Sequence, residues 1–543
     1  MVTEDVRVEG WDSPFQNFFG TRVAVSGEWM ATTTQNQDVN GLLDAGELTI
    51  YRRTGSGWVE TQRYTPLDIT PSSWFGNVLC LDGSTLAVHA AVAGENVIYV
   101  LEESGGTWSQ VARLSLRPGS QSAFGHSLAI DGDTMLIGAP GDNLAGPQRG
   151  AFYAFERLAS GEWHLGQIIL PPPDPPGVSG WPTKFGSSIA VDGNHAVVGM
   201  GGIQVQVLPG GGWVTLCQRA FTYERIAGQW QWIQTIENPD LVGSSAGATN
   251  FGYSLAMEGN TMAIGTPRNS DYWMVHGGQV MMFNWTAGQW QYTETLTASQ
   301  AYISTSTGAA TDGFGGSIAL EGNHLLVGAD RAKTSSTSTT RGQAYLFERQ
   351  SNGQWLETRV MQADEDPSEA GQMGRSVGLS TGYAVAGDKL GIDSNGVRSG
   401  IALIFELDHG SSVCDGVANS TGEAAHLRVN GSTTAGDGLL TCRIENAVPG
   451  QAGLLIASPA PGFVANPGGS LGNLCLSGAL ARVGVAVAGV DGRMLFHLDT
   501  TAIPLNPTVA IQAGDTWCFQ LYYRDHLAGT TSNFSNAVRV QFD

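Results

Sequence analysis

One phrase of sequence returns seven times along the chain. It begins with Phe-Gly, continues through an apolar strand, a tight acidic-Gly turn and a second apolar strand, and ends in a Gly-led aromatic strand. The copies start at Phe19, Phe75, Phe124, Phe185, Phe251, Phe314 and, in altered form, Met373, and lie 49 to 66 residues apart. A unit of this length forms one small sheet that cannot bury both faces alone, so the spacing predicts a closed array of stacked sheets.

The third copy shows why each repeat forms a sheet. Apolar residues alternate from Phe124 to the Asp131-Gly132 turn, as in a strand that enters a hairpin. A small residue stands five positions after each start, between bulky ones; these small residues are Ala24, Cys80, Ala129, Ala190, Ala256, Ala319 and Gly378. Close stacking of sheet on sheet requires one face of small side chains and one of large side chains.

The last copy lacks its fourth strand. In the other six copies a Trp marks this strand, at Trp58, Trp108, Trp163, Trp230, Trp290 and Trp355. One spare strand, residues 5–9, precedes the first copy. We therefore predict an all-β fold over residues 1–408, a seven-bladed β-propeller that the N-terminal strand closes, because closure removes exposed sheet edges.

The repeats resemble FG-GAP repeats, which build the seven-bladed propeller of integrin α subunits and of many bacterial surface proteins. The resemblance rests on the Phe-Gly openings, the strand ends at residues 137–140 and 264–267, and the Gly-x-x-Tyr-x-Phe third strand. A WD40 array is a poorer match, since its repeats span about 40 to 45 residues and end in Trp-Asp. Integrin-like repeats carry an Asp-rich calcium loop between the first two strands. Here that link is a tight turn, so those metal sites are expected to be missing.

Another segment has the ligand spacing of a calcium loop. Asn36, Asp38, Asn40 and Asp44 place oxygen atoms on nearly alternate residues, with Gly41 to turn the chain. Oxygen ligands of this kind bind hard cations, which makes Ca²⁺ a candidate cofactor. The alternative is a solvated turn, because the segment has only two carboxylates and Asn, Asp and Gly are common in loops.

The links from strand two to three and from strand four to the next strand one emerge on the same face of such a ring. These links are long, whereas those on the opposite face are short turns, so ligand binding is expected on the long-link face. The long links carry five candidate ligand-binding aromatics: Trp74, Trp181, Tyr272, Trp273 and Tyr302. Aromatic faces suit sugar rings. The alternative is that each ring anchors its own loop.

Charge and motifs exclude several function classes. With 49 acidic against 27 basic residues the formal charge is −22, which argues against nucleic acid as a partner.

No apolar run approaches the ~20 residues of a membrane span, and no export signal stands at the start, so we expect a secreted or cell-surface chain whose signal is absent from this sequence. Motifs of a serine nucleophile elbow or a His-Glu-x-x-His metal site are missing, so no catalytic residues are assigned.

The repeat phrase ends before residue 411. Cys414, Cys442, Cys475 and Cys518 lie in the remaining part and predict two disulfides, with three possible connectivities, in an oxidising compartment. Short strands with turn signals predict a β-sandwich over residues 411–543. This part resembles C-terminal modules of large secreted bacterial proteins.

The sequence therefore predicts a bacterial adhesion or recognition protein that binds a glycan or a surface protein. One alternative is a polysaccharide lyase, which needs a Tyr or His base and an Arg or metal that neutralises a uronate in the same cleft. Another alternative is a self-assembling structural subunit whose acidic faces meet neighbouring copies.

Overall fold

The computed structural model describes residues 2–3, 6–10, 17–54, 57–116, 123–173, 178–179, 183–201, 204–207, 213–216, 219–239, 250–267, 269–271, 274–300, 312–333, 340–350, 352–364, 370–380, 382–407, 409–431, 433, 435, 440–490, 492–525 and 532–542. Nearly all regular structure in these ranges is β-strand, which confirms the all-β prediction. The chain forms two compact units. The first contains Met1–Arg53, Trp58–Ser380 and Ala384–Phe405, and the second contains Thr54–Gly57, Thr381–Tyr383 and Glu406–Asp543.

Among the described residues, the repeats and the N-terminal strands form six four-stranded sheets and one five-stranded sheet. Sheet 1 contains Phe19–Ser26, Trp29–Thr34, Glu47–Thr54 and Gly57–Tyr64. Sheet 2 contains Leu79–Asp82, Thr85–Val92, Glu95–Ser104 and Thr107–Ser115. Sheet 3 contains Ser127–Asp131, Thr134–Ala139, Ala151–Arg157 and Trp163–Ile169. Sheet 4 contains Phe185–Asp192, His195–Met200, Arg219–Ile226 and Gln229–Glu237.

The remaining sheets follow the same order. Sheet 5 contains Ser254–Glu258, Thr261–Thr266, Gln279–Thr286 and Gln289–Leu296. Sheet 6 contains Ser317–Glu321, His324–Ala329, Gln343–Arg349 and Trp355–Gln362, with Val2–Thr3 parallel to the last strand. Sheet 7 contains Ser376–Ser380, Tyr383–Asp388, Ile401–Glu406 and Val6–Glu9. Links between sheet strands add a small sheet of Val178–Ser179, Gln204–Val207 and Trp213–Leu216, and a pair of Asn269–Asp271 and Met274–His276.

The N-terminal strand completes sheet 7, as the sequence predicts. Val6–Glu9 pairs antiparallel with Ile401–Glu406. The first strands of neighbouring sheets contact one another through the whole series, and the first sheet also contacts the seventh. There the backbone N–H of Val23 donates to Ser376 Oγ at 3.1 Å. The seven sheets of the first unit are therefore joined in a closed ring.

Contacts between neighbouring sheets explain the Phe-Gly signature. Each Phe is buried, and the next Gly lets its backbone approach the second strand of the preceding sheet. A Cβ atom on Gly138 would lie 2.1 Å from the carbonyl oxygen of Gly186, a distance no side chain can occupy. Ser127 Oγ donates to that same carbonyl at 2.9 Å. The same close approach recurs at Gly199, Gly265, Gly328 and Gly387, which face Gly252, Gly315, Gly374 and Gly20.

The acidic-Gly turns also join neighbouring sheets, at the opposite end of the first strands. Asp82 accepts a hydrogen bond from the backbone N–H of Gly132 at 2.7 Å. The corresponding links connect Asp131 with Gly193, Asp192 with Gly259, Glu258 with Gly322, Ser26 with Gly83 and Ser380 with Gly27. The acidic residue therefore does more than form its own turn, since its side chain satisfies a donor in the next sheet.

His89 takes, in sheet 2, the position that glycine holds in sheets 3 to 7. Its ring packs against Gly125, where an added Cβ atom would lie 2.6 Å from His89 Cδ2. Nε2 lies 3.0 Å from Asn96 Oδ1, and the buried Nδ1 has no partner among the described residues. Burial lowers the pKa of His89 from 6.5 to about 4. The imidazole is therefore neutral and packed at neutral pH.

Because His89 stays neutral in the folded state, we expect it to make the protein acid-sensitive. The unfolded chain takes up this proton near pH 6.5, so the stabilisation is complete above that pH and is lost as the pH falls towards 4. The loss amounts to about 2 kcal/mol at pH 4.5. The difference in free energy of unfolding between pH 7 and pH 4.5, measured by urea denaturation, should shrink by that amount in His89→Gln. It should not change in His164→Gln, which removes an exposed histidine; equal pH dependence in both variants would contradict this role.

The second unit is built from three antiparallel sheets. The largest has the spatial order Ser411–Cys414, Ser532–Gln541, Thr516–Arg524, Ala452–Ser458 and Ala481–Val487. The others contain His426–Gly431, Leu440–Glu445 and Met494–Leu498, and Ala460–Val464 with Leu474–Ser477; a 3-10 helix covers Pro467–Gly469. The five- and three-stranded sheets share one hydrophobic core, in which Phe519 and Leu521 of the first lie with Leu427 and Ile444 of the second.

The prediction of two disulfides in this unit is wrong. Cys414 is bonded to Cys475, whereas Cys442 and Cys518 are free and buried. Cys442 lies in the core shared by the two larger sheets, and Cys518 lies in a separate cluster beside the disulfide. The two free thiols therefore belong to different parts of the interior. Burial raises the pKa of Cys518, which keeps this thiol protonated.

Candidate ligand-binding site

A cavity of about 880 Å³ lies where the first strands begin and the second strands end. Equivalent positions of successive repeats line it. Two residues after the starting Phe or Met stand Asn77, His126, Ser187, Tyr253, Gly316 and Arg375. Directly before the Phe stand Ala123, Lys184, Asn250 and Gly313, and just past the second strand stand Pro140, Gly201, Pro267 and Asp330. Because equivalent positions of a ring converge on its axis, the cavity lies at the centre of the seven sheets.

The cavity is at the end of the sheets that carries the long links. Links from a fourth strand to the next first strand enter at this end, and links from a second to a third strand leave from it. Several lining residues belong to such links, among them Gln148 and Arg331. A small-molecule site of this size is typically concave and holds a few convergent polar groups.

The cavity is cationic although the protein is strongly acidic. Among the described residues, four basic ones line it, Arg22, Lys184, Arg331 and Arg375, against one carboxylate, Asp330. Arg375 Nη1 lies 3.0 Å from Asp330 Oδ2, and Arg331 Nε lies 4.0 Å from Asp330 Oδ1. Arg22 and Lys184 form no ion pair with any described residue. The described part of the lining therefore carries a net charge of +3 (four basic minus one acidic), whereas the full sequence has a formal charge of −22.

The side chain of Arg22 is oriented by a hydrogen bond to a backbone carbonyl and not by an acidic side chain. Its Nε donates to the carbonyl oxygen of Asn77 at 2.8 Å. Burial, followed by the nearby positive charge of Arg375, lowers the pKa of Arg22, and both effects disfavour its charge. Lys389 lies near the same positive charges. Its pKa is lowered by burial and then by Arg375. An anion placed here would relieve this repulsion.

His126 and Tyr253 add neutral hydrogen-bonding groups to the cationic wall. The pKa of His126 is lowered, first by loss of hydration and then by the positive charges of Arg22 and Lys184. Its imidazole is thus neutral at neutral pH, although it faces the water of the cavity. Tyr253 is about half exposed, at 54%. The cavity therefore combines a neutral base, a phenol and unpaired cations.

The aromatic residues predicted to bind ligand are not among the described residues that line the cavity. Trp74 is 44% exposed and has a positive φ of 46°. It precedes Phe75 and so holds the same repeat position as Lys184 and Asn250, but it is not among the residues that line the cavity. Its backbone N–H donates to the carbonyl oxygen of Asp44 at 3.1 Å. Trp181, Tyr272, Trp273 and Tyr302 lie outside the described residues.

The candidate calcium segment forms an internally bonded turn. Asp38 Oδ1 accepts the backbone N–H of Asp44 at 2.9 Å, and Val39 pairs with Leu42. One oxygen of Asp38 is therefore already used. Asn36, Asn40 and Asp44 supply the other predicted oxygen atoms. Over the described ranges, no three His, Cys, Asp or Glu side chains gather closely enough to hold a metal ion. Calcium at residues 36–44 stays a prediction.

Sequence comparison supports the repeat assignment. The FG-GAP repeat family matches residues 108–155 and 297–347. The chain carries FG-GAP repeats at these two places. Both matches end in a third strand, of sheet 3 and of sheet 6 respectively, and both begin near the preceding fourth strand. Such repeats are typical of extracellular proteins.

No curated protein matches the sequence. In the described residues no helix has the length and apolar character to cross a membrane.

Three solved structures that resemble this chain have low sequence identity to it. A putative 6-phosphogluconolactonase from Bacteroides uniformis has a TM-score of 0.39 at 11% identity, over 64% of this chain and 86% of that one. The periplasmic gluconolactonase PpgL of Pseudomonas aeruginosa has a TM-score of 0.35 at 15% identity, over 64% and 86%. Sqt1 of Chaetomium thermophilum has a TM-score of 0.35 at 12% identity, over 79% and 95%.

Proposed function

We propose that this chain is a secreted or cell-surface recognition protein. Residues 1–408 would form a seven-bladed FG-GAP propeller, because seven sheets are joined in a closed ring by the contacts described above. Residues 411–543 would form a β-sandwich, since two sheets of that part share one core. The ring is a rigid scaffold, and the long links at one end are free to vary, which is the usual arrangement for binding.

The proposed ligand is a glycan or a surface protein that binds on the long-link face. The central cavity supports this proposal, since polar side chains line it together with Arg22 and Lys184, which form no ion pair with any described residue. Trp74, Trp181, Tyr272, Trp273 and Tyr302 are proposed as further contacts, because aromatic faces pack on sugar rings. Ca²⁺ at residues 36–44 is proposed to fix the segment that carries Asp44, the hydrogen-bond partner of Trp74.

A glycan array with the full chain, run with and without calcium, tests this function. We expect a restricted set of glycans to bind, and Trp74→Ala to weaken that binding at least severalfold without loss of fold. Leu67→Ala, which removes an exposed side chain from the same loop region, is the matched control. If neither the array nor a panel of extracellular matrix proteins yields a bound partner, the recognition function is wrong.

A lyase is the second candidate, because His126, Tyr253 and Arg22 line one cavity. In β-elimination, a base removes the C5 proton of a uronate, the C4–O bond breaks, and the leaving oxygen takes up a proton, while a cation neutralises the carboxylate. The residue types required for these roles are present together. Absorbance of unsaturated uronate products, lost in both His126→Gln and Tyr253→Phe, would establish the lyase over a pure binding function.

A further inference from the structure

We infer that the central cavity binds an acidic saccharide, whose oxyanion is held by Arg22, Lys184 and Arg375. This inference rests on the proposed recognition function and names the ligand class of the same site. It follows from where the protein places its few positive charges, from how those charges are partnered, and from the neutral groups that surround them.

The distribution of charge is the first observation. The chain has only 27 basic residues against 49 acidic ones, and only three of the basic residues are lysines. Four basic residues nevertheless line the cavity, and Lys389, a second lysine of the three, is close enough to Arg375 and Arg22 for their charges to lower its pKa. Like charges brought together in a partly enclosed space repel, and this repulsion offers no benefit to folding. Their concentration therefore points to a ligand of opposite charge.

The partners of the basic residues are the second observation. Elsewhere in the first unit, arginines pair with nearby acids; Arg157, for example, lies 2.7 Å from Asp133 in a turn of its own sheet and 2.9 Å from Glu102 in sheet 2. In the described lining of the cavity, Asp330 is the one carboxylate, and it lies near Arg375 and Arg331. Arg22 donates from Nε to a backbone carbonyl, which orients its guanidinium but leaves the two terminal nitrogen atoms without a partner among the described residues. Those atoms form the planar edge that binds a carboxylate through two hydrogen bonds.

The neutral lining and the size of the cavity indicate a saccharide. Asn250, Gln148, Ser187 and Tyr253 supply amide, hydroxyl and phenol groups suited to sugar hydroxyls. A volume of about 880 Å³ exceeds what a single inorganic anion needs and is within the usual range for small-molecule ligands. A long polyanion such as nucleic acid is disfavoured, because its remaining length would meet a surface of strong negative charge.

Isothermal titration calorimetry of the full chain tests the inference with tetragalacturonate and its methyl ester, which has no free carboxylates. We expect the acid to bind at least tenfold more tightly than the ester, with an affinity that falls as salt increases. Arg22→Gln and Lys184→Asn should each weaken binding of the acid at least tenfold. Asn suits position 184, whose φ is +50°, because Asn250 adopts φ +56° at the equivalent position.

Arg52→Gln is the matched control, because it removes one positive charge from an exposed pair with Glu28 and should leave the affinity unchanged. A sulfated galactose tetrasaccharide and inorganic phosphate are two further probes that identify the oxyanion. Binding of tetragalacturonate or of the sulfated tetrasaccharide supports an acidic saccharide. Binding of phosphate alone contradicts it. Equal affinity for the acid and its ester, or selective array binding of neutral glycans, would overturn the inference while the recognition function stands. If no partner of any class binds in either experiment, both proposals are wrong.

Discussion

Removal of residues 1–10 will open the ring and destabilise the propeller by more than about 4 kcal/mol, a loss that exceeds the effect of most point mutations. The strand Val6–Glu9 pairs antiparallel with residues 401–404 of the strand Ile401–Glu406, and its Val8 side chain is buried. Without this strand, residues 401–404 lose their cross-strand partners on this side and form an exposed edge. Exposed edges pair with other chains, so the truncated protein should also associate as its concentration rises.

Calorimetry and light scattering of the full and truncated chains measure both effects. A synthetic peptide of residues 1–10 added to the truncated chain should raise the midpoint of the propeller transition and suppress association. The same peptide with Val8→Asp is the control and should fail, because position 8 lies in the core. A truncated chain that remains monomeric with an unchanged thermal midpoint would show that the strand does not secure the ring.

The fold could be predicted because its signals are local and repeated. Alternation before an Asp-Gly turn identifies one hairpin, and seven copies of the pattern make an error in any single copy unimportant. The position of the N-terminal strand followed from counting, since one strand was missing at the end and one was spare at the start. The small residue at positions such as Ala129 indicated tight stacking, although sequence alone did not reveal that the glycines and turn acids of one sheet contact the next.

The cavity was missed because its wall is assembled from residues about 50 to 60 positions apart. The aromatic residues that suggest a ligand site stand on the long links, whereas many lining residues stand within the repeat phrase itself, for example His126 and Arg375 two places after the start. This position holds a different residue type in each copy, whereas the two residues before it are Phe-Gly in six copies and Met-Gly in the seventh. A variable column inside a constant phrase indicates side chains that face solvent, and this signal was available in the aligned repeats.

The pairing of cysteines failed for a related reason. Four cysteines in a short region indicate oxidation, but a bond requires two sulfur atoms to meet in space. Cys442 and Cys518 are buried in different clusters of the second unit, and only the fold determines that separation.

Substitution of Gly387 by Ala tests how tightly the ring is closed. An added Cβ atom would lie 2.0 Å from the carbonyl oxygen of Gly20, which is backbone and cannot rotate away. Sheets 7 and 1 would have to separate, and the hydrogen bond from Val23 to Ser376 Oγ would lengthen. We expect a loss of more than about 3 kcal/mol in the free energy of unfolding of the propeller, as for other overpacked interiors.

Gly166→Ala provides the matched control within the same set of sheets. Gly166 also lies in a strand, and its added Cβ atom would meet Glu156 Cγ at 3.4 Å and a carbonyl oxygen at 3.6 Å, which is ordinary contact. This variant should unfold within about 1 kcal/mol of the unmodified protein, since Gly-to-Ala changes without strain are neutral or stabilising. Thr33 holds the position of Gly387 in sheet 1, so glycine is required by the approach of the next sheet and not by the strand itself. If Gly387→Ala and Gly166→Ala unfold alike, sheets 7 and 1 are not in the close contact that a closed ring demands.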